Sequence, residues 1–485
     1  MLYFAKRLVL GAFFVLNLIF PQFVFADNID TDHELINTSY ENMTDGTVDV
    51  FDAPGEITDT MSGGAIKTMV GGYVENMDGG NIDLITGGIV ANFNAGATIN
   101  DLDGGEISDF NSGNLNTFTS GFIVNLNSGT VNELQDNGII NTIIGGIVTS
   151  VTGGNIGVVL DGGKIGTFSG GTIDVLDGGT IIDFDGGTLT DWLTGLISNL
   201  KSGTLGLVKS ENTIANMIGG MISSMTGGNI DVMSDGTISN LSGGTIGSLS
   251  NNAIITNMTG GVINEMNGGV ITSVTDGTIT DFNSGATITD LDGGEIINFN
   301  DGALTTWTSG TIDNFNSGTL DLVGNNNTIN TMRGGTVVSM VGGNIGSFID
   351  GLVSSMTGGT IDIMSGGTVG TFGAGAIISN MIDGTITDFN GGTLSVWNGG
   401  KIVNFNNGNL SQIKTGNTIT NMNGGVVADM IGGEITTMND GEIASMSGGE
   451  INNFNDGTVS EFNTGATIAI MTGGEITDFN GGTLS

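Results

Sequence analysis

Few side chains in this chain are equipped for chemistry, and those that are recur at fixed places. Acids stand immediately before Gly pairs at Asp78, Asp103, Asp177 and Asp185. Stacked in rows, such carboxylates supply the oxygen ligands that Ca²⁺ takes, so weak Ca²⁺ collection is one reading of them. A solvated acidic ridge is the other. The stretches GGNIDLI at Gly79 and GGTIDVL at Gly170 come closest to a calcium-binding nonapeptide, GGxGxDxUx, but carry Ile where its third Gly stands. Threonine pairs of the form T-x-T occur at Thr188, Thr278, Thr385 and Thr418, too sparsely to tile a water-ordering plane. His33 is the single histidine and cysteine is absent, which removes the usual ligands of zinc and copper. No G-x-S-x-G elbow and no phosphate-binding loop is present, and the chain is read as a non-enzyme with no catalytic residue and no cofactor other than that weak Ca²⁺.

The elements that carry these residues follow from an eight-residue period. In GGTIIDFD followed by GGTLTDWL, Ile181 and Phe184 are matched by Leu189 and Trp192. The unit G-G-x-[IVL]-x-x-[MFLVW]-x continues from about Tyr40 to Leu484, in about fifty copies. Of the 21 methionines, all but Met1 and Met221 occupy the second apolar position, as do Trp192, Trp307 and Trp397. A row of this kind reads as core. Nine units carry one extra residue between the Gly position and the aliphatic, as in GATI at Gly96, Gly285 and Gly465, GNTI at Gly416, NNTI at Asn326 and ENTI at Glu211. They punctuate a block of about 41 residues, and the copies at Gly285, Gly375 and Gly465 lie 90 residues apart, as internal duplication would leave them.

Eight residues cannot bury an apolar face alone, so units must stack. Ile, Val, Leu, Thr and Phe favour strands, and Asn-Gly, Asp-Gly and Gly-Gly favour tight corners. Two apolar residues three apart point to opposite faces of a straight strand, so a bend between them is expected. The chain is therefore read as an all-β, parallel β-solenoid, right-handed by the general preference of parallel crossovers. An antiparallel single-layer meander is the alternative. Two or three octads to a coil both fit; three would give about 19 coils and roughly 90 Å of rod, and two a flatter rod half as long again.

Ahead of the repeats, Lys6 and Arg7, an apolar run from Leu8 to Phe20 and the small residues of Val24-Phe25-Ala26 predict a signal peptide over 1–26. A lead-in spans 27–39 and the repeat domain 40–485. The run is shorter than the ~20 residues that cross a bilayer, so no direct membrane span is expected. Without the two basic residues of the signal, seven basic and fifty acidic residues leave a net charge of −43. Such a polyanion repels nucleic acid and anionic lipid.

A signal peptide, no Cys, abundant Gly, Asn, Thr and Asp and monotonous short strands together resemble the β-solenoid passengers of bacterial autotransporters and related surface adhesins. The resemblance covers nearly the whole mature chain and is architectural. It implies export from a Gram-negative-type cell and a stalk-like role at the cell surface, in adhesion to host or neighbouring-cell molecules or in aggregation. The membrane β-barrel such proteins carry at the C-terminus has no counterpart here, and EITDFNGGTLS stops where TITDFNGGTLSVWNGG at Thr385 continues, so truncation in mid-repeat is expected. A self-assembling coat, sheath or filament is the competing function. Exposed residues of the aromatic-bearing blocks are where a ligand surface is sought.

Overall fold

A computed structural model describes residues 29–36 and 38–485; the expected signal peptide lies outside them. The first strands, β1 (His33–Ile36), β2 (Ser39–Met43), β3 (Thr47–Phe51), β4 (Glu56–Met61), β5 (Ala65–Met69) and β6 (Tyr73–Met77), set the pattern for the whole rod. β1 pairs with β3 and β3 with β5, while β2 pairs with β4 and β4 with β6, always parallel. Strands therefore pair with the next but one, and a coil closes after two octads. Most neighbouring coils are offset by 16 or 17 residues, as the side-chain contacts Asn94 to Asp78 and Asn111 to Asn94 register, while the first strands are offset by 15 (His33↔Val48) and 18 (Thr47↔Ala65). The fold is an all-β parallel solenoid of about 27 turns with no helix among the described residues, and the meander is excluded because every registered strand pair is parallel. At about 4.8 Å per coil the rod is about 130 Å long. Pairing starts ahead of Tyr40, since buried Ile29 bridges Met43 and β1 already ladders with β3.

Each octad bends where its apolar spacing requires. In β5 the partners in the next coil are Ala65↔Asn81, Ile66↔Ile82, Thr68↔Leu84 and Met69↔Ile85, so Lys67 drops out of the ladder. The same third residue is skipped in β3 at Asp49. Turning there brings both apolar residues inward, and Ile66 and Met69 are fully buried. Each such side chain contributes about 1.5–3 kcal/mol by leaving water. Apart from Met1, which lies outside the described residues, every methionine at the second apolar position is buried or packed on the core, whereas Met221 is exposed. Phenylalanines stack up the interior, with ring centres of Phe282, Phe299 and Phe315 5.0 and 5.2 Å apart. In most pairs the second Gly turns the corner at positive φ; at Gly72 (φ 83°) a Cβ would also stand 2.5 Å from the Gly55 carbonyl oxygen.

The nine-residue units have a common construction. Their extra residue is buried, and it is small or an amide: Ala97, Ala253, Ala286, Ala376 and Ala466, or Asn212, Asn327 and Asn417, with Gly138 in the remaining unit. The N–H of each of these Ala and Asn residues donates to the carbonyl three residues back, for example Ala286 to Asn283 and Asn212 to Lys209. The insertion is thus a tight turn folded into the core.

Candidate functional site: three opened rungs

The two stacks of strands, one begun by β1 and one by β2, climb from coil to coil without losing register except at three steps. No register joins the Trp192 strand, whose ladder reaches back through Leu189↔Ile173 and Trp192↔Leu176, to Thr204–Val208 in the coil above. The same break lies between the Trp307 strand and Thr319–Val323, and between Thr393–Trp397 and Asn409–Ile413. Every break follows a tryptophan. The equivalent block near the N-terminus has Phe118 in that place, and there the ladder is intact, with Leu115↔Val131 and Phe118↔Leu134. Indole bulk is the difference, since Trp is too large to be enclosed as completely as Phe. The three Leu and Trp pairs at these steps are 4 to 9 % exposed, while nearly all the rest of the core is sealed.

A buried asparagine lies at each opened rung, and at two of the three it bridges the gap. Asn212, Asn327 and Asn417 lie 20 residues after Trp192, Trp307 and Trp397 and are the only buried polar side chains among the described residues. Asn212 Nδ2 donates to the carbonyls of Trp192 (3.4 Å) and Leu193 (3.2 Å), and its Oδ1 accepts from the Lys209 N–H at 2.6 Å. Asn327 repeats this with the Trp307 carbonyl at 3.2 Å and the Gly324 N–H at 2.6 Å. Asn417 accepts from Lys414 at 2.7 Å, but its Nδ2 has no partner. A side-chain amide thus stands in for the main-chain partner that the open ladder withholds. Beside Trp307 a notch of about 110 Å³ is lined by Leu304, Thr305, Thr306, Leu320, Asp321 and Leu322; a smaller one of about 70 Å³ beside Trp192 includes Asp191, Leu207 and Lys209. Trp192 Nε1 donates to the Thr194 carbonyl, whereas the buried Nε1 atoms of Trp307 and Trp397 have no partner.

The four acids singled out in the sequence do not come together. Asp78 and Asp177 lie on the corner that follows the β2 stack, several coils apart, and Asp103 and Asp185 on the corner that follows the β1 stack. Each accepts a hydrogen bond from an uncharged side chain one coil up: Asp78 from Asn94 (2.7 Å), Asp103 from Ser120 (3.0 Å), Asp177 from Thr194 (3.2 Å) and Asp185 from Ser202 (2.9 Å). At these positions the partner one coil up is an amide or a hydroxyl, and Asp177 also lines a cleft with Asp161. Among the described residues no three His, Cys, Asp or Glu side chains gather closely enough to hold a metal ion. Where acids do crowd, as at Glu295, burial and then the Asp313 carboxylate push the carboxyl above its ordinary range. Cations act singly: Lys67 lies 2.6 Å from Asp49, and Lys201, 2.9 Å from Asp183, holds that carboxyl below its ordinary range with help from Asn199.

Amide ladders run up the corners where acid rows were expected. Asn390, Asn406, Asn423, Asn439 and Asn455 bond in series at 2.9 to 3.0 Å, and Asn267, Asn283, Asn300 and Asn316 at 2.7 to 3.0 Å on the opposite corner. The amides inside each run both donate and accept along the axis, as in cross-β Asn stacks. The T-x-T threonines are dispersed, with Lys401 in register between Thr385 and Thr418. Among the described residues no helix is long and apolar enough to cross a membrane. In comparisons with known proteins, no family model, no curated protein and no solved structure matches the chain.

Proposed function

We propose that this chain is an exported, non-enzymatic stalk of the surface-adhesin class, contacting molecules of host or neighbouring cells at its opened rungs. The observation that carries the reading is the threefold recurrence of the Trp and Asn unit on a rod of otherwise uniform coils. An open rung offers unpaired main-chain edge and apolar surface together, the combination that an extended partner chain recognises. Leu207 and Leu322, both exposed beside the notches, supply the apolar part. Several weak contacts spaced along one rod add by avidity, which suits a stalk. The test is binding of the purified mature chain to bacterial and host cells: the wild type should bind, Leu207→Asp with Leu322→Asp should bind less, and Thr280→Asp should not differ. Equal binding by all three removes the rungs from the reading. Sedimentation separates the competing coat function, because a stalk stays monomeric at micromolar concentration and a coat protein forms concentration-dependent assemblies.

A further inference from the structure

Seven Asn-Gly dipeptides occur in the chain, and the fold treats one of them differently. At a corner the residue before the Gly pair joins the amide ladder. Asn423, for example, donates to Asn406 and accepts from Asn439, and Asn267 donates to Glu265 and accepts from Asn283. Asn390, Asn398 and Asn480 are likewise tied to the coil above or below. Asn137 lies inside the strand Thr130–Ile143, in register with Ser120.

Asn407 is set one place further along, where the first Gly of the pair usually stands. It is exposed, and its Oδ1 accepts from the N–H of the very next residue, Gly408, at 2.8 Å. Seven Asp-Gly corners make the same contact, among them Asp440 with Gly441 and Asp456 with Gly457. The contact holds the Gly408 nitrogen against the Asn407 side-chain carbonyl group, and Gly408 has no Cβ to keep it away.

We infer that Asn407-Gly408 is the site at which the folded rod deamidates and forms isoaspartate. The Gly408 nitrogen, losing its proton to hydroxide, attacks Asn407 Cγ. The new N–Cγ bond closes a five-membered imide, the Cγ–Nδ2 bond breaks, and nitrogen leaves as ammonia after taking up a proton from water. A second water then opens the imide at one of its two carbonyls, leaving either Asp or isoaspartate; nothing is oxidised or reduced. The Asp product restores the residue found at the seven sister corners. The isoaspartate product instead adds a methylene to the main chain just before Asn409–Ile413, a strand that already lacks a partner on one side.

Peptide mapping by mass spectrometry, with enzymatic methyl labelling of isoaspartate, tests this on the folded mature chain held at mildly alkaline pH. The Asn407 peptide should convert several-fold faster than any of the other six, and that lead should vanish in denaturant, where only local sequence distinguishes them. Asn407→Gln should abolish the leading product and leave the others unchanged. A lead by Asn137 or by any ladder asparagine overturns the inference, as does a lead at Asn407 that persists unaltered in denaturant.

Discussion

Replacing Asn212 by Ala isolates what the buried amide does at an opened rung. The turn itself should survive, because Ala occupies the same inserted position at Ala97, Ala253, Ala286, Ala376 and Ala466 and makes the same bond three residues back. What is lost is the acceptor for the Lys209 N–H and the donor to the Trp192 and Leu193 carbonyls. Leaving such buried groups without partners costs about 2 kcal/mol, part of it recovered by water entering the notch. Asn417→Ala removes one made bond and one unpartnered Nδ2, so it should cost about 1 kcal/mol or less. Coils interact with their neighbours only, so the loss is local and a global melt averages it away. Hydrogen exchange reads it directly: amides of 204–217 should open about 30-fold more often in Asn212→Ala, against about fivefold or less for 409–422 in Asn417→Ala. An equal or larger effect at Asn417 refutes the account of the amide as a surrogate ladder partner.

Four further outcomes follow from the same geometry. Trp192→Phe should close its rung, as Phe118 does, and slow exchange across Thr204–Val208; unchanged exchange there removes indole bulk as the wedge. Trp307→Asp should cost several kcal/mol locally by placing an unpaired charge in the core, while Thr306→Asp at an exposed position should be nearly silent in the same exchange measurement. Glu295 has a raised carboxyl pKa, so its coil should gain stability as pH falls into the window between the ordinary and raised values; Asp183 has a lowered one, so its contribution is present above the ordinary value and is lost as pH falls through the depressed one. Glu295→Gln and Lys201→Ala, followed by exchange against pH, should each flatten the corresponding slope. Because the marked acids face amides and hydroxyls, thermal melts at matched ionic strength should coincide in sodium and calcium chloride, and a melt raised by calcium alone would restore a carboxylate-bridged site.

The inward rows were legible because chemistry and spacing agree: Ile66 and Met69 could be assigned to the core from their types, and the bend at Lys67 from their separation. Coil size was not, since consecutive octads are equivalent and nothing in Ile66 or Val74 says whether the second or third unit lies above. The inserted residues were visible as punctuation, yet a polar Asn212 reads as surface, and only its constant distance from a tryptophan signals burial. The Phe-Asn and Met-Asn dipeptides that build the corner ladders were equally visible. Their meaning depended on coil size, because only stacking at two octads sets Asn406 over Asn390.

A coil of two equivalent halves gives repeat number a parity. The duplicated blocks 90 residues apart contain an odd number of octads, so Trp307 lies in the stack begun by β2 and Trp397 in the stack begun by β1. Trp192 and Trp307, separated by an even number, share a side. Unequal recombination between copies would therefore do more than lengthen or shorten the rod. Loss or gain of one octad rotates everything distal to it by half a turn relative to the base while leaving every core contact type in place. Copy number thus acts as a compass setting, choosing which side of the rod each rung faces at almost no cost to folding.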